Sequence, residues 1–161
     1  MTTDLATVQA EMGIVAATPF RFNDGQFWTS LDFNNNDELV HLFRMRQSSD
    51  KTFKDCANMA LEMVHILRHW AEGTDDATGE VRKYIRTVFL TKEGDVVSAG
   101  SIGIERDIET LFALGVFPPW NPPLKMTPTL VKGKGPNSML NLKLDMKDLA
   151  ARMKAAKKGK K

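Results

Sequence analysis

The sequence predicts a mainly β, α+β fold of the small-barrel type, with one or two helices and a basic C-terminal tail. Three observations carry this. "VRKYIRTVFLT" is rich in β-branched and aromatic residues, and the Lys92-Glu93-Gly94-Asp95 turn leads from it into a shorter return strand, "VVSAGS". Near the C-terminus "LKMTPTLVKG" and "NSMLNLKLD" form a closing hairpin, in which Leu140, Leu142 and Leu144 alternate with Asn141 and Lys143. Between the hairpins, Ile104, Ile108, Leu111 and Phe112 recur at helical spacing.

The remaining elements follow in order. Residues 1–13 show no partner pattern and read as a flexible N-terminus; 14–146 form one domain, and 147–161 the tail. "IVAATPFRFNDGQFWTSLDF" reads as two extended pieces around the Asn23-Asp24-Gly25 turn. "DELVHLFRMRQ" is a short amphipathic piece compatible with a helix capped by Asn36 or Asp37. "KDCANMALEMVHILRHWAEG" fits two patterns. Ala60, Met63, Val64, Leu67, Trp70 and Ala71 match helical spacing, but Val64, Ile66, Arg68 and Trp70 also alternate with Met63, His65, Leu67 and His69 as in a strand; periodicity alone favours the helix. "GTDDATGE" is a polar loop. Ser101 caps the helix over "IGIERDIETLFALG" and Gly115 ends it. The prolines of "FPPWNPP" exclude helix and make a rigid connector in which Trp120 packs structurally. "KGKGPN" is a cationic loop, and "MKDLAARMKAAKK" forms at most a terminal helix with a thin apolar stripe.

Composition narrows the function. The chain has 161 residues, 42% of them hydrophobic, enough to bury a core without staples. Its single cysteine, Cys56, excludes an internal disulfide and reads as a buried small hydrophobe in a reducing compartment. No run reaches the ~18 apolar residues of a membrane span, and the first residues lack a secretory pattern. The expectation is a soluble, cytoplasmic protein with no membrane partner. Charge is uneven: seven basic residues against one acid give +6 from Lys147 onward, and the whole chain is +2, which leaves −4 on residues 1–146. A tail of this kind engages polyanions or serves as a solubilising extension.

No catalytic motif stands out. His65 and His69 share one face of either a helix or a strand, but no glutamate base lies between them and no cysteine pair lies near, so a zinc enzyme is a weak candidate. A strained G-x-S-x-G elbow and the P-loop spacing are both missing. The sequence calls for no cofactor and no metal. Single-stranded nucleic acid, by contrast, is held by cations along a groove and aromatic rings that stack on bases. The strand from Val81 places Arg82, Tyr84 and Arg86 on one face as a cation–aromatic–cation row, with Lys83 on the other. Trp28, Trp70 and the loop lysines Lys132 and Lys134 complete the candidate binding set.

One ordered series of segments also resembles a known family. "KDCANMALEMVHILRHWAE", "TGEVRKYIRTVFLTKEGDVVSAGSIGIERDIETLFALG", "PPWNPPLKM" and "LNLKLDM" are similar to the phage-type single-stranded DNA-binding proteins. The resemblance implies an OB-like barrel, and it implies a strand rather than a helix at "EMVHILRHW", which a five-stranded closure needs. The strand reading is therefore taken. It further implies sequence-independent binding of single-stranded DNA in phage DNA replication or recombination, in the host cytoplasm, with other replication proteins as further partners. The chain departs from many single-strand binders in ending "KAAKKGKK" instead of in an acidic tail, which points to the tail itself touching nucleic acid. The alternative is a non-enzymatic adaptor whose basic tail alone holds duplex nucleic acid or another polyanion.

Overall fold

The computed structural model describes residues 18–20, 23, 25–47, 49–74, 77–100, 102–132 and 138–158. Among these lie seven strands: β1 (Phe27–Thr29), β2 (Lys51–Thr52), β3 (Leu61–Thr74), β4 (Val81–Thr91), β5 (Val96–Ala99), β6 (Leu124–Lys132) and β7 (Ser138–Leu144). Three helices join them: α1 (Asn36–Gln47), α2 (Ile102–Ala113) and α3 (Met146–Lys158). The third is beyond the one or two expected. The strands make one mixed sheet in the order β2-β5-β4-β3-β6-β7, with β1 also on β3. All pairings are antiparallel except β2 with β5. The result is a curled half-barrel with helices against it, an OB-like α+β fold.

β3 organises the sheet. From Met63 to Thr74 it pairs with β4, while its other edge serves two partners in turn, β6 at Leu61–Met63 and β1 at Leu67–His69. The strand reading of this segment holds against its helical spacing. The reason is burial on both faces: Ile66 and Arg68 enter one side of the sheet and Leu67 the other, all at 0% exposure, as befits a central strand. Both hairpins form as the sequence predicts. In the β4–β5 turn Gly94 takes φ +90°, a left-handed conformation that glycine adopts at little cost.

Alternation along β3 and β4 sorts two cores. On one face Ile66 and Phe89 pack with Phe53 and with Ile104, Ile108 and Phe112 of α2. On the opposite face Leu67, Val88 and Leu90 pack with Phe27 and with Leu42 and Met45 of α1. The fully buried Arg68 lies on the α2 face. It forms ion pairs with Glu109 at 3.3 Å and Glu105 at 3.7 Å and donates to the Pro19 carbonyl, which pins the chain before β1 to the sheet and to α2.

Helix ends are chemically defined. Asn35, one residue before the expected caps, accepts from the Asp37 and Glu38 amides at 3.0 and 3.4 Å. Ser101 lies outside the described residues. α2 ends as expected at Gly115 (φ +84°): the Gly115 amide donates to Phe112 and the Val116 amide to Leu111, the paired bonds of a Schellman stop. The basic segment begins as an ordered helix. Asp145 caps α3, Leu149 and Met153 pack on the core, and Arg152 donates to the Pro122 and Pro123 carbonyls at 2.6 and 3.2 Å. Cys56 and Trp120 are buried, at 1% and 2% exposure. Of the two extended pieces expected early in the chain, the second is β1; residues 14–17 of the first lie outside the described residues.

The curl brings the two ends of the sheet toward each other, and α2 bridges them. Asp107 accepts from the Leu142 amide of β7 at 2.8 Å. Gly103 abuts the same strand so closely that a Cβ there would fall on the Leu140 carbonyl oxygen. Gly103→Ala therefore forces α2 away from β7, an overpacking that costs about 1–3 kcal/mol. Chemical denaturation is expected to show a lowered midpoint; an unchanged midpoint contradicts this closure.

Candidate nucleic-acid interface

β3 and β4 outrun their neighbours. β1 stops at the Phe27–His69 pair and β5 at the Ala99–Thr87 pair, yet β3 and β4 stay in register out to Thr74–Val81. Residues 70–74 and 81–85 thus form a two-stranded arm with no third strand beside it among the described residues. Such a hairpin is marginal alone; here it is the continuation of a full ladder.

Register fixes what each face of the arm presents. On the α1 face Arg82 lies opposite Gly73, Tyr84 opposite Ala71 and Arg86 opposite His69. Among the described residues this face carries two cations, one ring and no carboxylate. On the α2 face Lys83 lies opposite Glu72 and Ile85 opposite Trp70, so the lysine's charge is offset by its cross-strand neighbour. The expected row of Arg82, Tyr84 and Arg86 is therefore real as geometry, with Arg82 exposed and the other two half-buried.

The other sequence-derived residues are not gathered there. Trp28 pairs in register with Arg68 and so lies with Trp70 on the α2 face; its ring is half-buried, with its centroid 5.6 Å from that of Phe112. Lys132 ends β6 opposite Ser138, two residues along β7 from Leu140, and Lys134 lies outside the described residues.

Arg86 is locked at the base of the arm. It donates to the Met45 carbonyl in the last turn of α1 at 3.1 Å and to His69 Nε2 at 3.2 Å. A guanidinium only donates, so Nε2 must accept, and the His69 proton sits on Nδ1, which donates to the Trp70 carbonyl at 3.1 Å. His65 is committed elsewhere: Nε2–H donates to Glu38 at 2.9 Å and Nδ1 accepts from the Ser30 hydroxyl at 3.0 Å. The two histidines thus serve as structural linkers, and no three potential metal ligands cluster among the described residues.

Tyr84 is set in place by two glycines. A Cβ on Gly73 would come within 3.2 Å of one edge of the ring, and a Cβ on Gly100 within 2.8 Å of the other. Beside the ring is a hollow of about 310 Å³, lined among others by Thr52, Lys54, Tyr84, Arg86, Gly100 and Leu140. Arg46 adds a further cation on this side, 4.9 Å from the centroid of Phe27. Sequence reasoning missed Lys54 and Arg46. Both sit in unremarkable local contexts, a turn and the last turn of a helix, and only the curl of the sheet brings them near the arm.

The family model described as Phage Single-stranded DNA-binding protein matches residues 23–145. The chain belongs to this family. No curated protein and no solved structure gives a significant match. The matched span runs from the turn before β1 to the cap of α3, so the sheet, the arm and the hollow all lie within the part of this single-stranded DNA-binding protein that the family shares.

Burial dominates the titration of both linker histidines and holds each below its ordinary value; at His65 the Glu38 carboxylate opposes this, and at His69 the Trp70 carbonyl does. A histidine with a depressed folded-state pKa favours the fold above its unfolded-state value of ~6.5, and that contribution is lost as pH falls from there through the folded-state value. Melting temperature is expected to fall between about pH 7.5 and about pH 5.5, and to fall less in His69→Gln. A melting temperature that holds or rises on acidification contradicts the assignment.

Proposed function

We propose that the protein binds single-stranded DNA without sequence preference along the α1 face of the β3–β4 arm, and that it acts in this way in phage DNA replication or recombination. The observation that carries the reading is the Arg82–Tyr84–Arg86 row, a cationic strip on which a base meets the Tyr84 ring while the guanidinium groups supply positive charge for the flanking phosphates. Such recognition reads no base edge, so it tolerates any sequence. Family membership supports the ligand, and the word phage in the family's description supports the setting. Lys132 and Lys134 are assigned to the same strand as further phosphate contacts. Trp70 and Lys83 occupy the reverse of the same arm, and Trp28 lies on that reverse side of the sheet, against Phe112. Other replication proteins are partners of this reading, in the cytoplasm of the host cell.

The adaptor reading assigns all binding to the basic C-terminal segment. Deleting that segment is a poor discriminator, because Leu149 and Met153 of α3 pack on the core. Neutralising Lys147, Lys154 and Lys157 to glutamine removes charge from exposed positions and keeps the helix.

Two measurements with oligothymidylate test the proposal. Tyr84→Ala is expected to weaken binding by ~1–3 kcal/mol, roughly 5- to 150-fold, with Tyr84→Phe near wild type and Trp70→Ala within about twofold. If Trp70→Ala loses affinity and Tyr84→Ala does not, the strand lies on the other face. The triple lysine-to-glutamine variant is expected to keep salt-sensitive binding; its complete loss would favour the adaptor.

A further inference from the structure

Resting on the single-strand reading above, we infer that the hollow beside Tyr84 is a seat for one nucleotide unit. Lys54 is its phosphate contact, and Gly73 and Gly100 are positioning residues for the ring. Four observations converge on it.

Its volume of about 310 Å³ is at the small end of the ~300–1,000 Å³ typical of small-molecule pockets, so it suits a single unit rather than a run of the strand. Its charge is one-sided, since Lys54 and Arg86 line it and, among the described residues, no carboxylate does. The neighbouring acid, Asp55, is turned into its own loop, where it accepts from the Thr52 hydroxyl at 2.8 Å and the Thr52 amide at 3.2 Å.

The ring is held by shape. With glycines against both edges, Tyr84 lies across the sheet where any other residue at Gly100 would collide with it. A ring fixed before the ligand arrives loses little freedom on stacking. Leu140 of β7 supplies an apolar wall.

The two cations have different tasks. Arg86 is already bonded to Met45 and His69, so it contributes a fixed field. Lys54 is exposed on the turn after β2 and is the one able to move onto a phosphate. None of these features is visible as a motif, because the hollow is assembled from β4, from the ends of β2 and β5, and from β7.

The chain contains a single tyrosine, which allows a direct test. Protein labelled with 3-fluorotyrosine gives one fluorine resonance, that of residue 84. Thymidine 5′-monophosphate and oligothymidylate are each expected to shift it. Lys54→Ala is expected to abolish the mononucleotide's shift and to reduce the log–log salt slope for the oligonucleotide by about 0.7, one phosphate contact. Gly100→Ala is expected to displace the resonance before any ligand is added and to weaken oligonucleotide binding several-fold. If Gly100→Ala does not fold, Lys54→Ala carries the test, since an exposed lysine can be truncated without touching the core. If the oligonucleotide binds while the mononucleotide leaves the resonance unmoved and Lys54→Ala keeps the full salt slope, the seat is overturned and strand binding stands. If the oligonucleotide itself fails to bind, strand binding falls and the seat with it.

Discussion

The structure depends on the pairing of β3 with β4. Eleven register pairs, from Met63–Thr91 to Thr74–Val81, make it the longest ladder in the sheet. Its inner part carries both cores: Ile66 and Phe89 face α2, and Leu67 and Val88 face α1. Its outer part has no core to serve and becomes the arm. The same alternation that puts Val88 into the interior puts Arg86, Tyr84 and Arg82 on that face further out. A slip of one residue would reverse every side chain, exposing the core and sending the cationic row to the α2 side. The stability of the fold and the proposed recognition surface thus share one register.

The base of the arm couples the two cores to the interface. Arg86 closes the C-terminal end of α1 through the Met45 carbonyl and orients His69, whose other nitrogen holds the Trp70 carbonyl. Cations near a helix C-terminus are favourable in themselves. On the other face, buried Arg68 ties the sheet to Glu105 and Glu109 of α2, and α2 in turn reaches β7 through Asp107 and the close approach at Gly103. The hollow exists because these contacts draw β7 toward the ends of β2 and β5.

Much of the fold was legible because it is written in local chemistry. The β4–β5 turn, the alternation of Leu140 to Leu144, the stop at Gly115 and the row on β4 each depend on residues close in sequence. What was not legible depends on tertiary contact. Periodicity alone favours a helix at "EMVHILRHW", and the strand was reached only through the family resemblance; its physical cause, burial on both faces, is a tertiary property. The cap of α1 lay one residue earlier than expected because Asn34, Asn35 and Asn36 are chemically alike and only the fold selects one. The candidate site was half legible. Alternation grouped Arg82, Tyr84 and Arg86, but it could not show that Trp28 and Trp70 face the other way. Lys54 was invisible because thirty residues separate it from Tyr84, and no local pattern marks a lysine on a turn as part of a pocket. The C-terminal segment looked like a tail because its apolar stripe is thin; Leu149 and Met153 suffice to dock it once a surface is present.

In the proposed complex the DNA strand lies on the arm. Hydrogen exchange of the backbone amides, with and without saturating oligothymidylate, tests it most directly. Slowed exchange is predicted across Trp70–Thr74 and Val81–Arg86 and at the Thr52–Lys54 turn, with α3 unchanged. Slowing confined to α3, with the arm exchanging as in the free protein, would place the strand on the basic C-terminal helix instead.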